Sequence, residues 1–245
     1  MERLRISEIF FSLQGETRTV GLPTVFIRLT GCPLRCQYCD TAYAFHGGQW
    51  FELSRIIDEV KKYPVKYVTV TGGEPLAQKG CVPLLSSLCD QGYEVSLETS
   101  GALDVSQVDP RVIKVVDIKT PGSGEVEKNR WENLVHLLAH DQVKFVICDE
   151  ADYAFAKETV EKYALSERCD VLFSPSHEQV KPGDLADWIL RDRLSVRLQI
   201  QLHKYLWGDV QGRWNPCHFA IDIYIKTSNI GASASNVLLE HILGR

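Results

Sequence analysis

Residues 24–41 read TVFIRLTGCPLRCQYCDT: a β-branched apolar run, a glycine, then three cysteines within eight residues. The apolar half predicts a strand over 24–30. The polar half places Cys32, Cys36 and Cys39 on the loop leaving that strand, at C-x3-C-x2-C spacing, so that three thiolates can converge on one metal centre. Spacing alone leaves the metal open. A structural zinc site closes with four protein ligands, and His46 can serve as the fourth. A [4Fe–4S] cube on three cysteines keeps one iron free for a reacting ligand. Plain loop thiols are the third reading. The remaining cysteines (Cys81, Cys89, Cys148, Cys169 and Cys217) stand singly and read as small buried hydrophobes with inert thiols.

Outward from this stretch, apolar runs alternate with amphipathic ones. Strands are expected at 24–30, 67–72, 94–100, 112–119, 142–147, 170–176 and 197–205. Several are nearly continuous in apolar residues, as parallel strands covered on both faces are. Helical spacing occupies 51–63, 81–92, 151–165 and 182–192, with Ser54 and Pro182 near helix starts and Gly92 at a helix end. Strand and helix in alternation predict an α/β fold, either a parallel sheet or a barrel. We find no fixed-period repeat and no strong domain linker.

The 245 residues are 44% hydrophobic, enough to bury one sizeable core. A net charge of -5 argues against a chain that lives on nucleic acid or on an anionic membrane surface. No apolar run is long enough to span a bilayer, and the run in MERLRISEIFFSLQGET is too short for a signal-peptide core. The expected address is the cytoplasm.

Two motifs in order carry a resemblance. CPLRCQYC, with Tyr38 at the aromatic position, resembles the cysteine signature of the radical S-adenosylmethionine (SAM) superfamily, and TGGEP (71–75) resembles its glycine-rich SAM-binding motif. With EIFFSLQGET, CDT, LETSG, DIKTPGSGE, QVKFVI and QLHKYLW also in order, the chain resembles the 7-carboxy-7-deazaguanine synthase family. The resemblance implies an incomplete, distorted (β/α) barrel of mostly parallel strands. It implies conversion of 6-carboxy-5,6,7,8-tetrahydropterin to 7-carboxy-7-deazaguanine with loss of ammonia, a step toward queuosine and other 7-deazapurines. Reductive cleavage of SAM to a 5'-deoxyadenosyl radical would start that reaction, so no acid–base residue is assigned. A radical-SAM enzyme that activates a protein partner is the alternative.

The same resemblance implies the site. Cys32, Cys36 and Cys39 would hold the [4Fe–4S] cluster, and Thr41 a Mg2+ ion. Leu13, Gln14, Gly15, Arg28 and Thr71 would bind the pterin, the Arg28 guanidinium taking its carboxylate by a planar two-point contact. Tyr38, Gly73, Glu74, Asp117, Ile118, Lys119, Ser174, Pro175, Ser176 and His177 would contact SAM, Glu74 through the methionine ammonium. Glu98 is a plausible inward carboxylate, and His203 and Lys204 would support the site from the last strand. A homodimer and a flavodoxin- or ferredoxin-type electron donor are implied as partners. The radical SAM domain is expected over 1–213. Residues 214–245 depart from the family and are expected to form an appended strand–helix or a partly disordered tail.

Overall fold

In the computed structural model of the chain, residues 2–208 are described. Nine strands form their sheet: β1 (Arg3–Leu13), β2 (Pro23–Leu29), β3 (Gln49–Glu52), β4 (Tyr67–Gly72), β5 (Glu94–Thr99), β6 (Ile113–Asp117), β7 (Gln142–Ile147), β8 (Asp170–Pro175) and β9 (Arg197–Leu198). Their order is β3-β1-β2-β4-β5-β6-β7-β8-β9, and the sheet does not close on itself. From β2 to β9 every neighbour is parallel, whereas β1 runs antiparallel to both β2 and β3. The expected incomplete, mostly parallel α/β barrel is the fold found.

The helices are α1 (Leu53–Val60), α2 (Cys81–Asp90), α3 (Glu150–Lys162), α4 (Pro182–Asp192) and α5 (Leu202–Trp207). Their ends follow local chemistry. The Asp149 carboxylate caps α3 by accepting from the Asp152 amide at 2.8 Å, and Pro182 opens α4 where its missing N–H costs nothing. Gly92 takes a positive φ just past α2, as the sequence suggests. Ser54 is not a cap, because the backbone already turns at Glu52.

Helices α2, α3 and α4 return the chain between parallel strands, so the strand ends that follow in sequence collect along one rim. Beneath that rim lie two apolar clusters. One gathers Val25, Ile27, Val68, Val70, Val95 and Leu97 against Ile56, Leu84, Leu85 and Leu88. The other packs Val143, Phe145, Val171 and Phe173 against Tyr153, Ala156, Leu185 and Ile189. Phe145 and Phe173 meet edge to face at 5.5 Å.

Two elements were not expected, and one is corrected. Strand β1 escapes a period-2 reading because its register against β2 slips between Ile6 and Glu8, which breaks the alternation. Strand β3 is too short to stand out from the expected helix at 51–63. The strand expected at 197–205 is only Arg197–Leu198. The Leu202 amide instead donates to the Gly15 carbonyl at 2.9 Å, pulling the chain off the sheet and into α5. Residues 209–245, with Cys217 and the expected appended segment, lie outside the described residues.

At the start of β6 the buried Lys114 ammonium meets the fully buried Asp141 carboxylate at 2.8 Å, and the Lys114 and Leu138 amides donate to the same carboxylate at 2.7 Å. Asp141→Ala would strand a buried cation and two amides. We expect it to cost about 3–5 kcal/mol in urea denaturation, while a loss below about 1 kcal/mol would show the pair to be solvated.

Candidate active site

One cavity of about 760 Å³ opens along the C-terminal rim of the sheet. The loop after β2 brings Cys32, Cys36, Tyr38, Cys39 and Thr41 to its wall, and the end of β1 brings Leu13, Gln14 and Gly15. Arg28, Thr71, Gly73, Asp117, Lys119, Ser174, Pro175, Ser176 and His177 also line it, as do Glu98, His203 and Lys204. Nearly every residue singled out from sequence therefore faces one space.

Two do not. Glu74 is fully buried beneath the rim, and its carboxylate accepts from the Thr99 hydroxyl, the Ser100 amide and hydroxyl, and the Leu76 amide at 2.5–3.0 Å. Glu74, which the resemblance gives to the methionine ammonium of SAM, thus has its carboxylate engaged by the protein and does not line the cavity. Ile118 is buried in the second apolar cluster, and its amide is bound to the Lys144 carbonyl at 2.9 Å. Odd and even residues of an extended segment face opposite ways, so Asp117 and Lys119 reach the cavity and Ile118 cannot.

The cysteine loop is held by three backbone amides. The Gly31 amide donates to the Ala44 carbonyl at 2.8 Å, the Gln37 amide to the Ser123 carbonyl at 3.0 Å, and the Arg35 amide to the Glu125 carboxylate at 2.5 Å. Gly73 lies so close that a Cβ there would stand 2.4 Å from the Gly31 carbonyl oxygen and 2.6 Å from Cys32 Cβ. The three thiols are free, half-buried and near enough to sense one another's charge; burial pushes Cys32 and Cys36 up, and nearby Lys119 works against this. Among the described residues no set of three His, Cys, Asp or Glu side chains draws in tightly enough for a single ion, and His46 does not line the cavity. Three thiolates are the ligand set of a cubane that keeps one iron open, in which each sulfur takes its own iron.

Beside the thiols, Lys119 Nζ sits 2.8 Å from Asp117 Oδ2 and 5.8 Å above the Tyr38 ring. Among the described residues the Tyr38 hydroxyl and Asp117 Oδ1 are buried without a hydrogen-bond partner. Orphaned polar atoms cost about 1–3 kcal/mol each, so this corner suits a polar guest that would satisfy them.

The same cavity holds residues that sequence reasoning missed, among them Glu16, Lys144 and Gln201. Glu16 and Lys144 form a buried ion pair, and Gln201 Nε2 donates to Glu16 Oε1 at 2.8 Å and to Asp40 Oδ2 at 3.2 Å. Asp40 also accepts from the Thr41 hydroxyl at 2.9 Å and lies 3.6 Å from Lys204. Gln14 Nε2 reaches Thr69 Oγ1 at 3.1 Å and Glu98 Oε1 at 3.4 Å, while Thr71 donates to Glu98 Oε2 at 2.9 Å. A Cβ on Gly15 would stand 2.2 Å from His203 Nδ1, so only glycine admits the α5 turn here. No local pattern could have paired Glu16 with Lys144, 128 residues apart.

Burial works against charge on Glu16, but Lys144 prevails and holds its carboxyl below the usual range. Burial and then the Glu16 charge push Glu98 the other way. The cavity thus sets Glu16, tuned to stay ionised, against Glu98, tuned toward its proton.

The Radical SAM superfamily model matches residues 26–116. The chain is 46% identical over 213 residues to the 7-carboxy-7-deazaguanine synthase of Chlorobaculum tepidum, covering 85% of this chain and 97% of that one. It is 45% identical over 219 residues to the synthase of Koribacter versatilis, covering 83% and 97%. The chain belongs to the 7-carboxy-7-deazaguanine synthase family. Its fold is also that of the crystal structure of QueE from Escherichia coli, with a TM-score of 0.67 at 22% identity over 81% of this chain and 94% of that one. Membership in this family disfavours the protein-activating alternative.

Two outcomes test the reading of the site. Glu74→Gln places an amide donor among donors, so the protein without cofactor should lose about 1–3 kcal/mol in denaturant unfolding. A residue that served only SAM would leave that stability unchanged. For Glu16, a depressed carboxyl contributes stability that is present above the ordinary carboxylate range and is lost as pH falls through the folded value. Lys144→Met removes the partner, so the acid limb of stability attributable to Glu16 should disappear. An unchanged acid limb would show that the pair does not couple to folding.

Proposed function

We propose that the chain is a radical SAM carbon–nitrogen lyase that converts 6-carboxy-5,6,7,8-tetrahydropterin to 7-carboxy-7-deazaguanine with release of ammonia. The observation that carries this is the meeting, in one cavity, of three free thiols with Arg28, Gln14, Glu16 and Glu98. A [4Fe–4S] cluster on Cys32, Cys36 and Cys39 supplies, when bound, one electron for reductive cleavage of SAM.

The rest falls to the protein. Arg28 gives its Nε to Glu8 at 2.7 Å, which leaves the two terminal nitrogens for the substrate carboxylate. Gln14, Glu16 and Glu98, with the backbone of Leu13 and Gly15, offer donors and acceptors to the pyrimidine edge of the pterin. Thr71 stands beside Arg28 in the parallel register. Tyr38, Gly73, Asp117, Lys119 and the 174–177 turn face SAM, with Gly73 admitting close backbone approach and Lys119 supplying positive charge. The Thr41 hydroxyl, which donates to Asp40 Oδ1 at 2.9 Å, would be the protein oxygen that holds Mg2+, and the ion would supply a charge clamp on the substrate.

Residues 1–213 are the catalytic unit in this reading. The partners are a second copy of the chain and a flavodoxin- or ferredoxin-type donor, since cluster reduction takes one electron at a time. Among the described residues no helix is long and apolar enough to cross a membrane, and thiols that must remain reduced fit a cytoplasmic address.

The test is anaerobic. After reconstitution with iron and sulfide, the reduced protein should show the EPR signal of a [4Fe–4S] cluster and, with SAM, Mg2+ and carboxytetrahydropterin, release the deazaguanine acid. Arg28→Ala should weaken pterin binding roughly 100-fold, the loss of a bidentate charge-assisted contact, while the reduced cluster still cleaves SAM. Normal turnover by Arg28→Ala would overturn the substrate assignment, and a colourless zinc protein would overturn the mechanism.

A further inference from the structure

The register slip in β1 has a chemical result. Ile6 pairs with Leu29, and unbroken pairing would set Ser7 opposite Arg28; the extra residue sets Glu8 there instead. Two residues on, Phe10 pairs with Phe26, and their rings stack at 4.9 Å with only 8° between planes. Glu8 and Phe10 therefore stand on the face that carries Arg28. The guanidinium carbon lies 5.7 Å from the Phe10 ring on one strand and 5.8 Å from the Tyr43 ring in the turn after Thr41. Its Nε donates to Glu8 Oε1 at 2.7 Å, and the Tyr43 hydroxyl donates to the same oxygen at 2.8 Å. One carboxylate oxygen thus fixes both the cation and an aromatic ring beside it.

We infer that Glu8 is a positioning residue that makes the pocket selective for a substrate bearing a carboxylate. This rests on the reading of Arg28 as the substrate-carboxylate ligand. Arg28 is flexible by nature, and a two-point contact requires its plane to be set before the ligand arrives. Glu8 sets that plane by holding Nε, and the two rings restrain motion out of it. The second side chain bound to Glu8 Oε1, Tyr43, ties this orientation to the loop that carries Cys39 and Thr41.

Charge and orientation make opposite predictions. If Glu8 acted only by diluting the Arg28 charge, Glu8→Gln and Glu8→Ala would both tighten binding of an anion. If Glu8 acted only in folding, both substitutions would lower affinity for charged and uncharged pterins alike. A positioning role predicts a split. A glutamine oxygen still accepts from Arg28 Nε and Tyr43, so Glu8→Gln keeps selectivity; alanine accepts neither.

The experiment is isothermal titration of the reconstituted holoenzyme with 6-carboxypterin and with 6-hydroxymethylpterin, which lacks the charge. The wild type should prefer the carboxylate. Glu8→Gln should hold that preference within about 3-fold, and Glu8→Ala should lose it by roughly 10-fold or more, the fold-change of a charge-assisted hydrogen bond. Affinity for the hydroxymethyl compound should be equal in all three proteins. An undiminished preference in Glu8→Ala overturns the inference alone. Equal losses for both ligands also overturn it and assign Glu8 to folding. A wild type that binds neither pterin overturns the substrate reading, and this inference with it.

Discussion

The rim of the sheet depends on one buried anion. Glu74 follows the two glycines at the end of β4, and its carboxylate gathers donors from Leu76, Thr99 and Ser100. Its own amide donates to the Gly31 carbonyl at 2.8 Å, immediately before the first cysteine. The ends of β2, β4 and β5 are thereby fixed to one another at the level where the thiols begin. A carboxylate so enclosed is stable only while every donor stays in place, since an unmatched buried charge costs several kcal/mol. That requirement is what makes the cavity wall rigid where a cluster would sit. It also explains why an acidic residue in TGGEP need not touch a ligand to matter to one.

The parts of this fold that could be read in the sequence are those whose cause is local. Strands β4 and β7 coincide with apolar runs at 67–72 and 142–147, because a strand covered on both faces needs little but continuous hydrophobicity. Where long-range contacts decide, the reading failed. The alternation of RLQIQLHKY suits a strand, yet a single bond from Leu202 to Gly15 on a distant loop turns it into a helix. Strand β1 hid behind its own bulge.

The candidate site divides along the same line. Cysteine spacing is a local fact, and the three thiols do share a wall. Glu8 and Lys144 carry no local signature; each gains its meaning from a partner that only the sheet brings near, Arg28 in one case and Glu16 in the other. Resemblance to a family points to residues that touch ligands. It does not point to the residues that hold those residues still.

The four cations on the cavity wall share one arrangement. Arg28 faces Glu8, Lys144 faces Glu16, Lys119 faces Asp117 and Lys204 faces Asp40. A bare cluster of four cations in a half-buried space would repel itself and attract any anion indiscriminately. Pairing each with a carboxylate removes that net attraction, so affinity must come from the edges the carboxylates leave open. An ammonium keeps free protons in several directions, but a guanidinium held at Nε keeps only one planar face of donors. The single arginine among the four is therefore the group best suited to tell a carboxylate from other anions by shape. Geometry, rather than net charge, is what this wall offers a ligand.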